Sequence, residues 1–291
     1  MGKNNFQALQ YCRYFYKLKA PYWYGCFSQR ADKNLLNEKR HQYPSMYPPQ
    51  KWTEESFTSQ FGQRVFDCIG YAVKGYLFNK DNDWDSNPVY QSKYDVSADG
   101  FYDLCTEKGP FEQIPDIPGL IVHKKGHVGI YAGKKDGKKI VLECKGHAYG
   151  TVSGSSTKWE HWCKCPWWQY ISIRSWLTSL YMDILDRTPD AGGLDYWSDE
   201  LEEKRQTPTQ VITFFLTSPE FKNRQLSDEA FLAILYQVFF DRAPDRDGYT
   251  FWLKELKNGK SRESVIDGFV GSREWKDMND YLLYIINAKG R

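Results

Sequence analysis

Apolar residues fall into two different rhythms along the chain, and the change between them divides it. In the C-terminal part Leu180, Ile184 and Leu185, and later Phe231, Leu235, Val238 and Phe239, stand three and four apart. That is the spacing of helices with one apolar face. The same stretch repeats itself. LYMDILDRTPDAGGLDYW, from Leu180, matches LYQVFFDRAPDRDGYTFW, from Leu235, at an offset of 55 residues. VITFFLTSPEF, from Val211, then matches VIDGFVGSREW, from Val265, at an offset of 54. Each copy reads as a helix, a Pro-Asp-Gly turn, a second helix and a third. Repeats of this length imply stacked helical units that share a core. The expectation is an all-α domain over 174–291, with copies at about 177–223 and 231–278.

Residues 1–173 follow another pattern. In FDCIGYAVKGYLF, from Phe66 to Phe78, the positions Ile69, Ala72, Val73, Tyr76 and Leu77 predict an amphipathic helix. Asp67 is placed to cap its start. After it come GLIVH, HVGIYAG and IVLEC, separated by KKG and GKKDGKK, the pattern of an antiparallel meander. HAYGTV, from His147, predicts one more strand. Helices followed by antiparallel strands make an α+β domain.

At roughly 100–200 residues per domain, 291 residues fit this division into two. The net charge of +2 is too even for a nucleic-acid binder, which needs a concentrated basic patch. No run of about 20 apolar residues is present to span a membrane. The polar N-terminus lacks the apolar core of a secretory signal, so synthesis in the cytoplasm is expected. Met1-Gly2 suggests myristoylation only weakly, because Phe6 holds the position that needs Ser or Thr. Seven cysteines, an odd number at irregular spacing, argue against a disulfide framework and leave room for a reactive thiol. The aromatic share of 17% suits sugar or peptide binding, and equally a large packed core.

An ordinary thiol is mostly protonated at neutral pH. A helix N-terminus and a nearby imidazole both help it to become a nucleophile. Cys68 lies in the first turn of its predicted helix, and His127 opens the strand HVGIYA. Alternation puts His127, Gly129 and Tyr131 on one face, where Gly129 leaves room for a close approach. A third polar group would orient the base. His147 is the expected one, with Glu143 as the alternative.

PYWYG at 21–25, FDCIGY at 66–71, GHVGIYAG at 126–133 and KGHAYG at 145–150 together resemble the NlpC-type cell-wall cysteine peptidases, especially forms in phage lysins. The resemblance covers roughly residues 10–171. It implies a papain-like fold, with Cys68 as nucleophile, His127 as base and His147 as third member. It also implies Tyr22 beside the nucleophile, with Tyr24 and Asp67 joining it against substrate. The implied reaction is hydrolysis of peptidoglycan stem peptides after γ-D-glutamate, without a cofactor, at the bacterial wall after release by a phage or on a virion. Ile69 stands where the family has Ser after the nucleophile. Residues from Cys26 to Val65 form an insertion placed to roof the substrate groove. An amidase splitting muramic acid from L-alanine, or a wall-binding protein without activity, shares these motifs.

Other signals are weaker. His161, Cys163 and Cys165 form HWCKC, tighter than the usual zinc spacing and better read as packing. Val152 to Ser156 is a loop rather than a nucleophile elbow. In the repeated D-R-x-P-D-x-x-G, Asp190 and Asp245 read as helix starts braced by Arg187 and Arg242, rather than as calcium ligands. The helical region resembles an uncharacterised repeat domain of bacterial surface proteins, and wall attachment is its expected role. Tyr196, Trp197, Phe251 and Trp252 are its candidates for stacking on sugars. Nothing in the sequence sets the oligomeric state.

Overall fold

The computed structural model describes residues 3–79, 84–135, 137–154 and 156–289. Met1, Gly2 and Ser155, each part of a motif above, lie outside them. The chain forms two compact units, the first ending at Tyr170 and the second starting at Ile171.

The first unit mixes helix with antiparallel sheet. A two-stranded ribbon pairs β1 (Phe27–Arg30) with β2 (Arg64–Phe66). The main sheet contains β3 (Lys108–Pro110), β4 (Ile121–Lys124), β5 (His127–Lys135), β6 (Lys138–Cys144), β7 (Thr151–Ser153) and β8 (His161–Cys163). Its strand order is β3-β8-β4-β5-β6-β7. The meander read from the sequence is β4, β5 and β6, with Ile121 opposite Ile130 and Ile130 opposite Leu142. One face carries Ile121, Val128, Ile130, Leu142 and Cys144 into a core shared with the helix Asn5–Lys17 and the helix after Cys68. The other face buries Val122, Tyr131, Val141, Trp159 and Trp162 in a second cluster.

The helix beginning at Cys68 contains a π-type turn over Gly70–Lys74 before the α-helical Gly75–Phe78. Every residue from Gly70 to Phe78 is buried, so this is a central helix rather than an amphipathic one. Lys74 is accommodated by reaching Asp95 at 2.6 Å. HAYG is not a strand. His147, Ala148 and Tyr149 form a turn, and pairing resumes at Thr151. Gly146 and Gly150 on either side have φ of 147° and 61°, a left-handed path that breaks the extended chain.

The insertion folds around its own core of Cys26, Ala31, Leu36, Tyr47, Phe57 and Val65, with Trp23. Its main helix, Lys33–Gln42, is capped by Asp32.

In the second unit each repeat has four helices, one more than the pattern predicts. The first copy contains Ile173–Leu185, Ala191–Glu202, Pro208–Thr217 and the short Pro219–Lys222. The second contains Asp228–Phe240, Arg246–Lys257, Arg262–Gly271 and the long Arg273–Lys289. The repeated motif is structural. Asp186 and Asp241 end helices in the left-handed conformation, at φ 56° and 51°. Asp190 and Asp245 then cap the next helices, accepting the N–H groups of Gly193 and Gly248 at 2.7 and 2.8 Å. Those glycines are needed because the hydroxyls of Tyr181 and Tyr236 occupy the space of a side chain. Arg187 reaches Glu220, and Arg242 reaches Glu274, through paired guanidinium contacts. Trp197 is buried and Trp252 half-buried, whereas Tyr196 and Phe251 stand 55% and 54% exposed at equivalent positions. Among the described residues no helix is long and apolar enough to cross a membrane.

Candidate active site

Cys68 follows β2 after the single residue Asp67, at the turn from strand to helix. Asp67 holds that turn with both carboxylate oxygens. One accepts the N–H of Gly70 at 2.6 Å and the other that of Gly25 at 3.1 Å. Asp67 thus acts as a cap, as its place before the helix predicts, and as a clasp on the segment PYWYG. Cys68 is 9% exposed. Its sulfur takes N–H contacts from Val128 and Ile69. The Val128 contact sets the thiol against the first peptide of β5. Burial, then the charge of Asp67, pushes the thiol up to about 12. The helix start alone does not make a thiolate here, so a base is required.

His127 Nε2 lies 2.7 Å from Glu143 Oε2. Glu143 comes from β6, with its side chain only 1% exposed. It also accepts the Thr157 hydroxyl, at 2.9 and 3.0 Å to its two oxygens. A carboxylate fixed in this way holds the proton on Nε2 and leaves Nδ1 as the basic nitrogen. The Trp159 ring lies nearly parallel to His127, 11° off at 5.4 Å, and covers the pair from one side. Gly129 makes that possible, since a Cβ there would lie 3.0 Å from the Trp159 ring and 2.9 Å from Val141. The room foreseen at Gly129 is filled by the protein's own indole.

His147 does not orient His127, because neither of its ring nitrogens has a hydrogen-bond partner of ordinary geometry. Four rings enclose it instead: Tyr47 at 5.0 Å, Tyr22 and Trp52 at 5.2 Å, and Phe57 at 5.4 Å. Three of these belong to the insertion. Burial lowers the His147 pKa, partly offset by main-chain oxygens of Tyr22 and Met46. A histidine harder to protonate when folded makes stability fall with acid, between its ordinary value of about 6.5 and its depressed folded value. Below that window no further loss comes from this group. Wild-type melting temperature should therefore drop between pH 7.5 and 5.5 more than that of His147→Phe, and equal drops would show that His147 is not the group responsible.

Tyr22 joins β2 through a bridge to Phe66. Burial raises its pKa first, then Cys68 and Asp67, so its hydroxyl sits in their field and stays protonated. Tyr24 is half-buried, under the same two influences after burial, and its ring meets Tyr43 edge-on at 5.0 Å. The structure thus brings Tyr22, Tyr24 and Asp67 to Cys68, and Glu143 to His127. Trp159 and Thr157 were not foreseen, since neither stands in a motif.

Compared with known families, the chain matches the model described as "Domain of unknown function (DUF4214)", over residues 169–225 and 213–279. Both matches lie in the helical part of the chain and overlap over residues 213–225. No curated protein and no solved structure matches the chain.

Proposed function

We propose that the N-terminal unit is a papain-like thiol hydrolase of peptidoglycan stem peptides, with Cys68 as nucleophile, His127 as base and Glu143 as the group that orients the base. One observation carries this reading: a cysteine at a helix start touches the first peptide of the strand whose histidine is held by a buried carboxylate. Nδ1 of His127 takes the thiol proton as sulfur attacks the substrate carbonyl. The N–H of Cys68 and the neutral hydroxyl of Tyr22 donate to the oxyanion. The imidazolium returns its proton to the leaving amine, and water then hydrolyses the thioester. No step draws on a cofactor. The helical unit serves wall attachment in this reading, supported by the outward rings of Tyr196 and Phe251 in equivalent places. The site of action is the bacterial cell wall, in the manner of a phage lysin.

The test is digestion of purified walls from a Gram-positive panel, with and without iodoacetamide, and mass spectrometry of the released fragments. Iodoacetamide-sensitive release of fragments ending in γ-D-glutamate is the expected result. Free stem peptides would replace it with the amidase reading. Binding without release from any wall would overturn hydrolysis.

A further inference from the structure

Three cysteines play no part in this chemistry, yet they meet. Cys105 ends the helix Ala98–Leu104, Cys163 lies in β8, and Cys165 follows two residues later. All three are buried in the same core. The Cys105 thiol donates to the Phe101 carbonyl at 3.3 Å and is the strongest influence on the neighbouring Cys163 thiol. Cys165 is near both, but its sulfur is held by the N–H groups of Trp167 and Trp168 in its own turn. The sheet explains the meeting. Lys108 pairs with Cys163 across β3 and β8, and Cys105 precedes Lys108 by three residues. The chain leaving the helix therefore folds Cys105 over β8.

We propose that Cys105 and Cys163 are a disulfide-forming pair, reduced on synthesis and closed by peroxide-class oxidants. The reaction needs local opening, because the neighbouring Cys105 thiol and then burial keep the Cys163 thiol protonated in the closed state. β3 favours such opening. It is a three-residue strand at the sheet edge, with Lys108 and Pro110 exposed. The Lys108 ammonium favours the Cys163 thiolate. That thiolate attacks peroxide, takes one oxygen as a sulfenic acid and releases water once the thiol proton is counted. The Cys105 sulfur then displaces the sulfenyl hydroxyl, the S–S bond forms and a second water leaves. Two thiols are oxidised and one peroxide is reduced to two waters. The inference is independent of the hydrolase reading, since Cys68 takes no part.

Trypsin separates the three sulfurs. Cys105 lies in peptide 94–108, Cys163 in 159–164 and Cys165 in 165–174, because Lys164 stands between the last two. The full chain is treated with hydrogen peroxide, alkylated, digested and mapped without reduction. A cross-link joining 94–108 to 159–164 is expected, lost on dithiothreitol treatment and accompanied by a rise in melting temperature of about 5–10 °C. Cys165→Ser should keep both effects and Cys105→Ser should lose both. A cross-link through 165–174, or peptide 159–164 recovered alkylated or over-oxidised without a partner, would overturn the pair.

Discussion

Cys68→Ala is expected to abolish wall hydrolysis, and Glu143→Ala to slow it by about 10²–10⁴-fold, while His147→Phe stays within about threefold of wild type. The three differ because they stand at different distances from the chemistry. Cys68 carries the bond to the acyl group, and alanine has no atom to replace sulfur. Glu143 fixes which nitrogen of His127 is bare, through the 2.7 Å contact at Nε2. Without it the ring has no reason to keep Nδ1 free, and the loss should fall on kcat rather than KM. His147 sits among rings, where phenylalanine fills the same space and gives up only the loose contacts to the Tyr22 and Met46 carbonyls. Initial rates on soluble stem-peptide substrate give the comparison. Glu143→Ala also removes the buried acceptor of the Thr157 hydroxyl, at a cost of about 1–3 kcal/mol, so rates should be read below the variant's melting range. An inactive His147→Phe beside an active Glu143→Ala would reverse the assignment of the orienting role.

That contrast marks where the sequence was legible. Alternation in IVLEC places Val141 and Glu143 on one face, and a lone carboxylate in an apolar strand calls for a buried partner. The arithmetic of the strands therefore pointed to Glu143 as readily as family likeness pointed to His147. The likeness misled because KGHAYG reads as a strand only if Gly146 and Gly150 are ignored. Gly150 is fixed in place, since a Cβ there would come within 2.7 Å of the Ala20 carbonyl. The meander and the two repeats were legible because each depends on local periodicity. In the repeats, duplication showed which residues matter, and the caps at Asp190 and Asp245 follow from residue type alone. Trp159 over His127 was not legible. It depends on a contact between distant strands, and the only trace of it is the missing side chain at Gly129. The insertion was visible as extra length, but not as a source of rings around His147.

Gly70→Ala is expected to lower the stability of the N-terminal unit by about 3 kcal/mol, the upper end for an overpacked core. The position looks harmless in sequence, as a helical residue two after the nucleophile where alanine is the better helix former. The structure reverses that. A Cβ at Gly70 would run into the Cys26 carbonyl and lie 2.9 Å from both Asp67 Oδ1 and Phe27 Cα. Little there can yield. The Cys26 carbonyl already accepts the Asp67 N–H at 2.7 Å, and the Asp67 carboxylate already holds Gly70 and Gly25. Moving any of them pulls Cys68 away from β5 or frees the insertion from the helix start. At roughly 2–4 °C per kcal/mol, the melting transition of this unit should fall by about 6–12 °C. Gly100→Ala is the control. Gly100 lies in the helix Ala98–Leu104, its nearest neighbour is Ser97 Oγ at 3.2 Å, and the gain in helix propensity should leave stability equal or higher. An unchanged melt for Gly70→Ala would mean that the strand and the helix do not touch as described, and the placing of Cys68 would lose its main support.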